Sequence, residues 1–138
     1  MSWRYYDIFI SHAWTYDERY QGVVRLLNGY PRFYWRDYSV PRNRPLVDPR
    51  TPVGKRRLIA LLDEQIRQAS CFVISAGMSI YQRPWMMEEL QIASAYDKPV
   101  IAVRSLGQQR VPVLFENADA VVGWRAESLV TTIRRLCR

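Results

Sequence analysis

The sequence contains few of the residues on which metal sites and many hydrolytic sites depend. Among 138 residues it has one histidine, His12, and two cysteines, Cys71 and Cys137. Neither cysteine has a second one at CxxC spacing, so the ligand set of a zinc site is missing and we expect no metal and no bound cofactor. Ser-His-Asp hydrolysis would need His12 as its base, and no G-x-S-x-G motif supports that chemistry.

Long hydrophobic runs are also missing. No apolar run approaches the roughly 20 residues that cross a bilayer, and the first residues lack the apolar segment of a signal peptide. We therefore expect a cytoplasmic protein that makes no membrane contact. Because thiols stay reduced in that compartment, Cys71 and Cys137 are expected as free core or surface residues rather than as a disulfide.

The composition suits one folded domain that spans residues 1–138. Hydrophobic residues make up 49% of the chain, which is enough for a core, and the net charge is +7. The positive charge is concentrated in residues 42–57 and at the end of the chain. Such a balance attracts nucleic acid, acidic proteins or phosphorylated small molecules, or it merely keeps the surface solvated.

Apolar and aromatic runs alternate with segments of helical spacing. Strands are expected at Tyr5–Ser11, Arg32–Tyr38, Cys71–Ser75, Pro99–Val103 and Ala118–Val122. Helices are expected at 17–28, 55–68, 127–137 and from Pro84 onward. This alternation predicts an α/β fold, a doubly wound parallel sheet with helices on both faces. The strand order 2-1-3-4-5, with the short aromatic strand at an edge, would place the loops after strands one and three side by side.

A long basic loop is expected between the second strand and the second helix. Residues 39–52 hold four prolines among arginines, which resists regular structure. A connection of this length is functional, or it is a variable surface loop.

The stretch from Ser75 to Tyr96 is the candidate site, because ligands of α/β sheets bind where strands end and helices begin. With about 100° per residue, Met86, Leu90 and Ala93 form one apolar stripe. Glu88 then points away from the stripe and is expected in solvent, whereas Glu89 lies at its edge, one turn after Trp85. Glu89 is thus either a partly buried catalytic carboxylate or an ordinary acidic residue near the positive end of a helix.

Several segments, taken in order, resemble the TIR domain, and more closely the prokaryotic branch that includes the sensor of the Thoeris anti-phage system. They are Tyr6–His12, Phe33–Pro41, Asp63–Ser70, Ala76–Met78, Trp85–Leu90 and Lys98–Ile101. The resemblance covers nearly the whole chain. It implies a flavodoxin-like five-stranded domain that can cleave the bond between nicotinamide and ribose in NAD+.

The resemblance also assigns roles to residues. The family's catalytic glutamate follows the tryptophan by four positions, which corresponds to Glu89 here. The substrate-binding positions that it implies are Phe9, Ser11, His12, Trp14, Arg36, Asp37, Ser75, Gly77 and Trp85. Arginines such as Arg36 would meet the pyrophosphate of NAD+, and Trp85 would line the pocket or simply pack in the core.

In this branch the product is commonly a cyclic or modified ADP-ribose that signals to a separate effector. The resemblance further implies self-association into an oligomer or filament after a phage-derived trigger. Two positions depart from the usual pattern, since Arg83 and Met86 stand where TIR domains often have Ser and Cys. Two alternatives remain: a non-catalytic interaction module, or binding of nucleotides or nucleic acid through the basic loop.

Overall fold

A computed structural model describes residues 4–11, 18–39, 50–75, 86–105 and 118–137. Within these residues, five parallel strands form one sheet in the order β2-β1-β3-β4-β5, as the sequence predicts. The strands are β1 (Tyr5–Ser11), β2 (Tyr34–Asp37), β3 (Cys71–Ser75), β4 (Val100–Val103) and β5 (Ala120–Val122). The helices are α1 (Glu18–Asn28), α2 (Pro52–Gln68), α3 (Met86–Ala95) and α4 (Ala126–Leu136).

Two apolar layers cover the two faces of the sheet. On one face, α1 and α4 pack against alternate strand residues such as Ile8, Val73 and Val103. On the other, α2 and α3 pack against the intervening residues, such as Phe72 and Ala102. Side chains alternate between faces along a strand, so an interior strand with apolar residues at both parities needs helices on both sides. The central strand β3 is buried at all of its positions.

The ends of several elements differ from the sequence-based expectation for local reasons. Residue Arg32 has a φ of 60°, a left-handed conformation that keeps it out of strand β2. Helix α2 begins three residues before the predicted Lys55, because the hydroxyl of Thr51 accepts the backbone N–H of Gly54 at 2.9 Å and Pro52 occupies the first turn. The Thr-Pro pair is a recognised helix-start signal that the apolar spacing alone does not contain.

Both cysteines are free and buried, as the sequence predicts for a reduced protein. Cys71 begins β3, and Cys137 follows the last turn of α4 on the same face of the sheet. Burial and, secondarily, a hydrogen bond with Cys137 raise the pKa of the Cys71 thiol. Cys71 therefore stays protonated and unreactive while the protein is folded.

This pKa shift predicts a loss of stability in alkaline solution. Unfolded Cys71 loses its proton near pH 8.5, whereas the folded thiol keeps it, so the unfolded state binds fewer protons above that pH. The free energy of unfolding should then fall by up to about 1.4 kcal/mol per pH unit above about pH 8.5. Urea unfolding between pH 7 and pH 10 measures this slope. Cys71→Ala should flatten it, and an equal slope in the variant would contradict the assignment.

A second stability prediction concerns Gly22, in the middle of α1. A Cβ added there would lie 2.6 Å from Cζ2 and 2.9 Å from Cη2 of Trp124, which packs against the same core. Alanine favours a helix over glycine by about 1 kcal/mol, but such a clash typically destabilises by about 1–3 kcal/mol. We expect Gly22→Ala to lower the urea midpoint. In a Trp124→Leu background, where the indole is gone, the same change should raise it.

Candidate active site

The carboxyl end of β1 lies beside the first turn of α3, and a side-chain hydrogen bond joins the two elements. The hydroxyl of Ser11 donates a hydrogen bond to Oε1 of Glu89 at a distance of 2.8 Å. These residues are 78 positions apart in the sequence, and both are buried, Ser11 with 2% and Glu89 with 4% of its surface exposed. The contact therefore places a carboxylate at the edge of the sheet where ligands of this architecture bind.

Glu89 is buried more deeply than the helical wheel predicts. The buried residues of α3 are Met86, Glu89 and Ala93, whereas Leu90 is half-buried. The buried stripe is therefore centred closer to Glu89 than a wheel built on Leu90 suggests. Glu88 is also half-buried, rather than fully in solvent. The carboxylates of Glu88 and Glu89 are neighbours in sequence, yet the sheet covers Glu89 far more.

The first turn of α3 favours a negative charge. Glu88 and Glu89 both belong to it, and the backbone N–H groups of a helix's first turn carry partial positive charge. Together with the hydroxyl of Ser11, this compensates part of the cost of burying the carboxylate. A carboxylate held in this way can stabilise positive charge that develops on a bound molecule.

Two serines complete this edge of the sheet among the described residues. Ser75 ends β3, is 2% exposed, and its buried hydroxyl has no hydrogen-bond partner. Cys71 and Val73 pack on the α1 and α4 side of β3, so strand alternation places the Ser75 side chain on that side as well. Ser39 was not predicted as a site residue. Its hydroxyl accepts the backbone N–H of Ile10 at 2.9 Å and thereby ties the segment after β2 to the end of β1.

Phe9 lies in the core below Ser11. It is 1% exposed and stacks on Phe72 with ring centroids 5.4 Å apart. Because Phe9 and Ser11 are two residues apart on one strand, both face α2 and α3. Within the described residues, Phe9 therefore packs in the core beneath Ser11 and helps to fix its position.

The structure does not bring Arg36 to Glu89. The guanidinium of Arg36 binds the carboxylate of Asp7 through Nε at 2.6 Å and Nη2 at 3.2 Å. Asp7 pairs with Arg36 in the sheet, four residues before Ser11. Asp37 accepts hydrogen bonds from the Tyr20 hydroxyl and from the backbone N–H of Ser39. These contacts order the end of the edge strand, at a distance from the Ser11–Glu89 pair.

Four predicted site residues lie outside the described residues. They are His12, Trp14, Gly77 and Trp85. Residues 40–49 of the basic loop lie outside them too, whereas Pro52 belongs to α2. The described residues contain no group of three or more His, Cys, Asp or Glu side chains arranged to hold a metal ion. None of the described helices combines the length and the apolar character that a membrane span requires.

A five-stranded parallel sheet in the order 2-1-3-4-5, with a buried carboxylate at its carboxyl edge, defines a flavodoxin-like α/β domain with a candidate active site. Residues 9–110 match the family described as the TIR-like domain of Thoeris protein ThsB. The chain belongs to that family.

Solved structures of proteins with very different sequences show the same fold. One is the CMP N-glycosidase BcmB of Clostridium botulinum, which aligns with a TM-score of 0.54 at 12% identity. The alignment covers 93% of this chain and 98% of that one. No curated protein matches the chain.

The Ser11–Glu89 contact predicts a measurable coupling in stability. Removing the donor with Ser11→Ala leaves a buried carboxylate with less compensation, which should lower the free energy of unfolding by about 1–3 kcal/mol. In a Glu89→Ala background the same change should have a much smaller effect, and urea unfolding of the four proteins measures the difference. Thr132→Val is the control, since its hydroxyl bonds Ser128 within α4 and should add independently. Additive effects of Ser11→Ala and Glu89→Ala would contradict a direct interaction.

Proposed function

We propose that the chain is an NAD+-consuming enzyme of Thoeris-like bacterial defence, which cleaves the N-glycosidic bond between nicotinamide and ribose. The observation that carries the proposal is the buried carboxylate of Glu89, held by Ser11 at the carboxyl edge of the sheet. Membership in the ThsB TIR-like family supports the setting. The similarity to an N-glycosidase supports a fold that can accommodate such a reaction.

The proposed reaction suits the groups at this edge. When the C1′–N bond breaks, its electron pair stays with the nicotinamide nitrogen, and the pyridinium leaves as a neutral ring. Positive charge then develops on the ribose, as in other glycoside cleavages with an oxocarbenium-like transition state. The carboxylate of Glu89 would stabilise that charge, and Ser11 would orient the carboxylate. A hydroxyl or ring nitrogen of the same molecule, or water, would attack C1′ and release a proton.

The product we propose is a cyclic or otherwise modified ADP-ribose that signals to a separate effector. Self-association after a phage-derived trigger would complete the site between neighbouring copies. Ser75, with its unpartnered buried hydroxyl, is proposed as a substrate-binding residue together with Phe9, His12, Trp14 and Gly77. The family resemblance adds Trp85, Arg36 and Asp37 to the proposed set; Arg36 and Asp37 would have to exchange their contacts with Asp7 and Tyr20 for contacts with the substrate.

The proposal predicts that Glu89→Gln abolishes NAD+ turnover while the fold persists. The glutamine keeps the shape and can still accept a hydrogen bond from Ser11, but it lacks the charge that the transition state requires. Loss of such a group should slow turnover by at least about 100-fold. Glu88→Gln is the matched control, because it removes a neighbouring, half-buried carboxylate from the same turn and should keep most of the activity.

The measurement is NAD+ consumption by concentrated protein, alone and with lysate of phage-infected cells, with the products followed by mass spectrometry. CMP serves as a second substrate, since a protein of this fold acts on it. Cleavage of CMP but not of NAD+ would show that the proposed substrate is wrong and that the proposed reaction, N-glycosidic bond cleavage, is right. If neither is cleaved in any condition, and Glu89→Gln still protects cells from phage, the chain acts as an interaction module.

A further inference from the structure

Arg104 carries a buried donor that has no acceptor among the described residues. Its Nε atom is buried and has no hydrogen-bond partner, and the one other such side-chain atom in the described residues is the hydroxyl of Ser75. Buried polar atoms in folded proteins nearly always have a partner, so each exception calls for an explanation. Ser75 ends β3 and Arg104 directly follows β4, so both exceptions lie at the carboxyl edge of the sheet, with their side chains on opposite faces.

The position of Arg104 is fixed by the sheet. Its backbone N–H donates to the carbonyl of Val122 at 2.8 Å, which continues the pairing of β4 with β5 by one residue. Its guanidinium lies beside Gly123, where an added Cβ would be 3.6 Å from Nη2. Arg104 is half-buried, and among the described residues no carboxylate forms an ion pair with it.

The register places Arg104 on the same face of the sheet as Glu89. Ser11 pairs with Ile74, and Ile74 pairs with Ala102, so these three side chains share the face covered by α2 and α3. Arg104 follows Ala102 by two residues and returns to that face. Two strand spacings separate β1 from β4, which is about 10 Å across the sheet.

The charge and geometry of this residue fit an anion. A guanidinium presents several N–H donors in a planar fork, which matches the oxygens of a phosphate group. Arg36, the arginine expected to meet a phosphate, is exposed and already binds Asp7. Arg104 is therefore the better placed cation.

We propose that Arg104 binds a phosphate group of the nucleotide whose ribose lies against Glu89. The position of the ribose rests on the proposed function. The ligand chemistry is a phosphate ester anion, either the pyrophosphate of a dinucleotide or the 5′-phosphate of a mononucleotide. The phosphate-free nucleoside would lack the contact and bind less tightly.

The test compares pairs of ligands that differ only in phosphate. In a Glu89→Gln background, which prevents turnover, isothermal titration calorimetry measures the Kd of nicotinamide mononucleotide against nicotinamide riboside, and of CMP against cytidine. ADP-ribose tests the pyrophosphate. Adding Arg104→Gln should weaken binding of the phosphorylated ligands by about 10- to 100-fold, the range for hydrogen bonds to charged groups, and leave the nucleosides unchanged. A mononucleotide that loses affinity while ADP-ribose does not would assign Arg104 to a terminal phosphate, and the reverse would assign it to the pyrophosphate.

The matched control is Arg135→Gln. It removes one positive charge as well, but an exposed one, from the last turn of α4. Equal losses in both variants would show a general effect of net charge and overturn the proposal. So would unchanged affinities in Arg104→Gln, equal losses for nucleosides, or no binding of any phosphorylated probe. Arg104→Lys keeps the positive charge but lacks the planar fork of N–H donors, so it should lose less affinity than Arg104→Gln. If Arg104→Gln does not fold, Arg104→Lys serves as the test variant.

Kinetics separate this inference from the proposed function. If NAD+ is the substrate, Arg104→Gln should raise KM for NAD+ about 10-fold or more with little change in kcat, because the contact is equal in ground and transition states. If Arg104→Gln turns over NAD+ with an unchanged KM, the role of Arg104 is refuted and the proposed enzymatic activity stands. Phosphate-dependent binding without cleavage of NAD+ would refute the proposed NAD+-cleaving activity and support the role of Arg104.

Discussion

The hydrogen bond between Ser11 and Glu89 is the contact on which the candidate site depends. It joins the end of a central strand to the first turn of a helix that lies far along the chain, so it forms only when β1, β3 and α3 are all in place. The parallel pairing of β1 with β3 fixes Ser11 one strand away from the point where the chain leaves the sheet toward α3. The position of the carboxylate is thus a consequence of the whole sheet rather than of any local motif.

A buried carboxylate is an unfavourable choice for stability. An apolar residue at position 89 would continue the stripe of Met86 and Ala93 and would avoid the loss of hydration that a carboxylate suffers on burial. The hydroxyl of Ser11 and the first turn of the helix offset part of that cost. Departures from locally stable choices concentrate at functional positions, which is the physical reason for placing the chemistry here.

The sequence predicts the fold well because each element has a periodic signal. Apolar strands and amphipathic helices gave the element order, and the edge position of β2 followed from its short aromatic run. Boundaries were less accurate where single residues decide, as with the left-handed Arg32 and the Thr51 cap of α2. The helical wheel predicts Glu89 rather than Glu88 as the buried residue. How deeply Glu89 is buried depends on how α3 packs on the sheet, and a helical wheel carries no information about that packing.

Partners across the sheet explain what the sequence could not supply. The family resemblance implied that Arg36 meets the pyrophosphate, but its register pairs it with Asp7, and two opposite charges at adjacent positions on neighbouring strands bind each other. The opposite is true of Arg104, which was not predicted as a site residue. It follows an apolar strand and no sequence motif marks it, yet pairing with β5 fixes its backbone, and its buried Nε has no acceptor among the described residues. An arginine that already pairs with a carboxylate of the fold is a weaker candidate for binding a ligand's phosphate than one without such a partner among the described residues. That property belongs to strand register, and it favours Arg104 over Arg36.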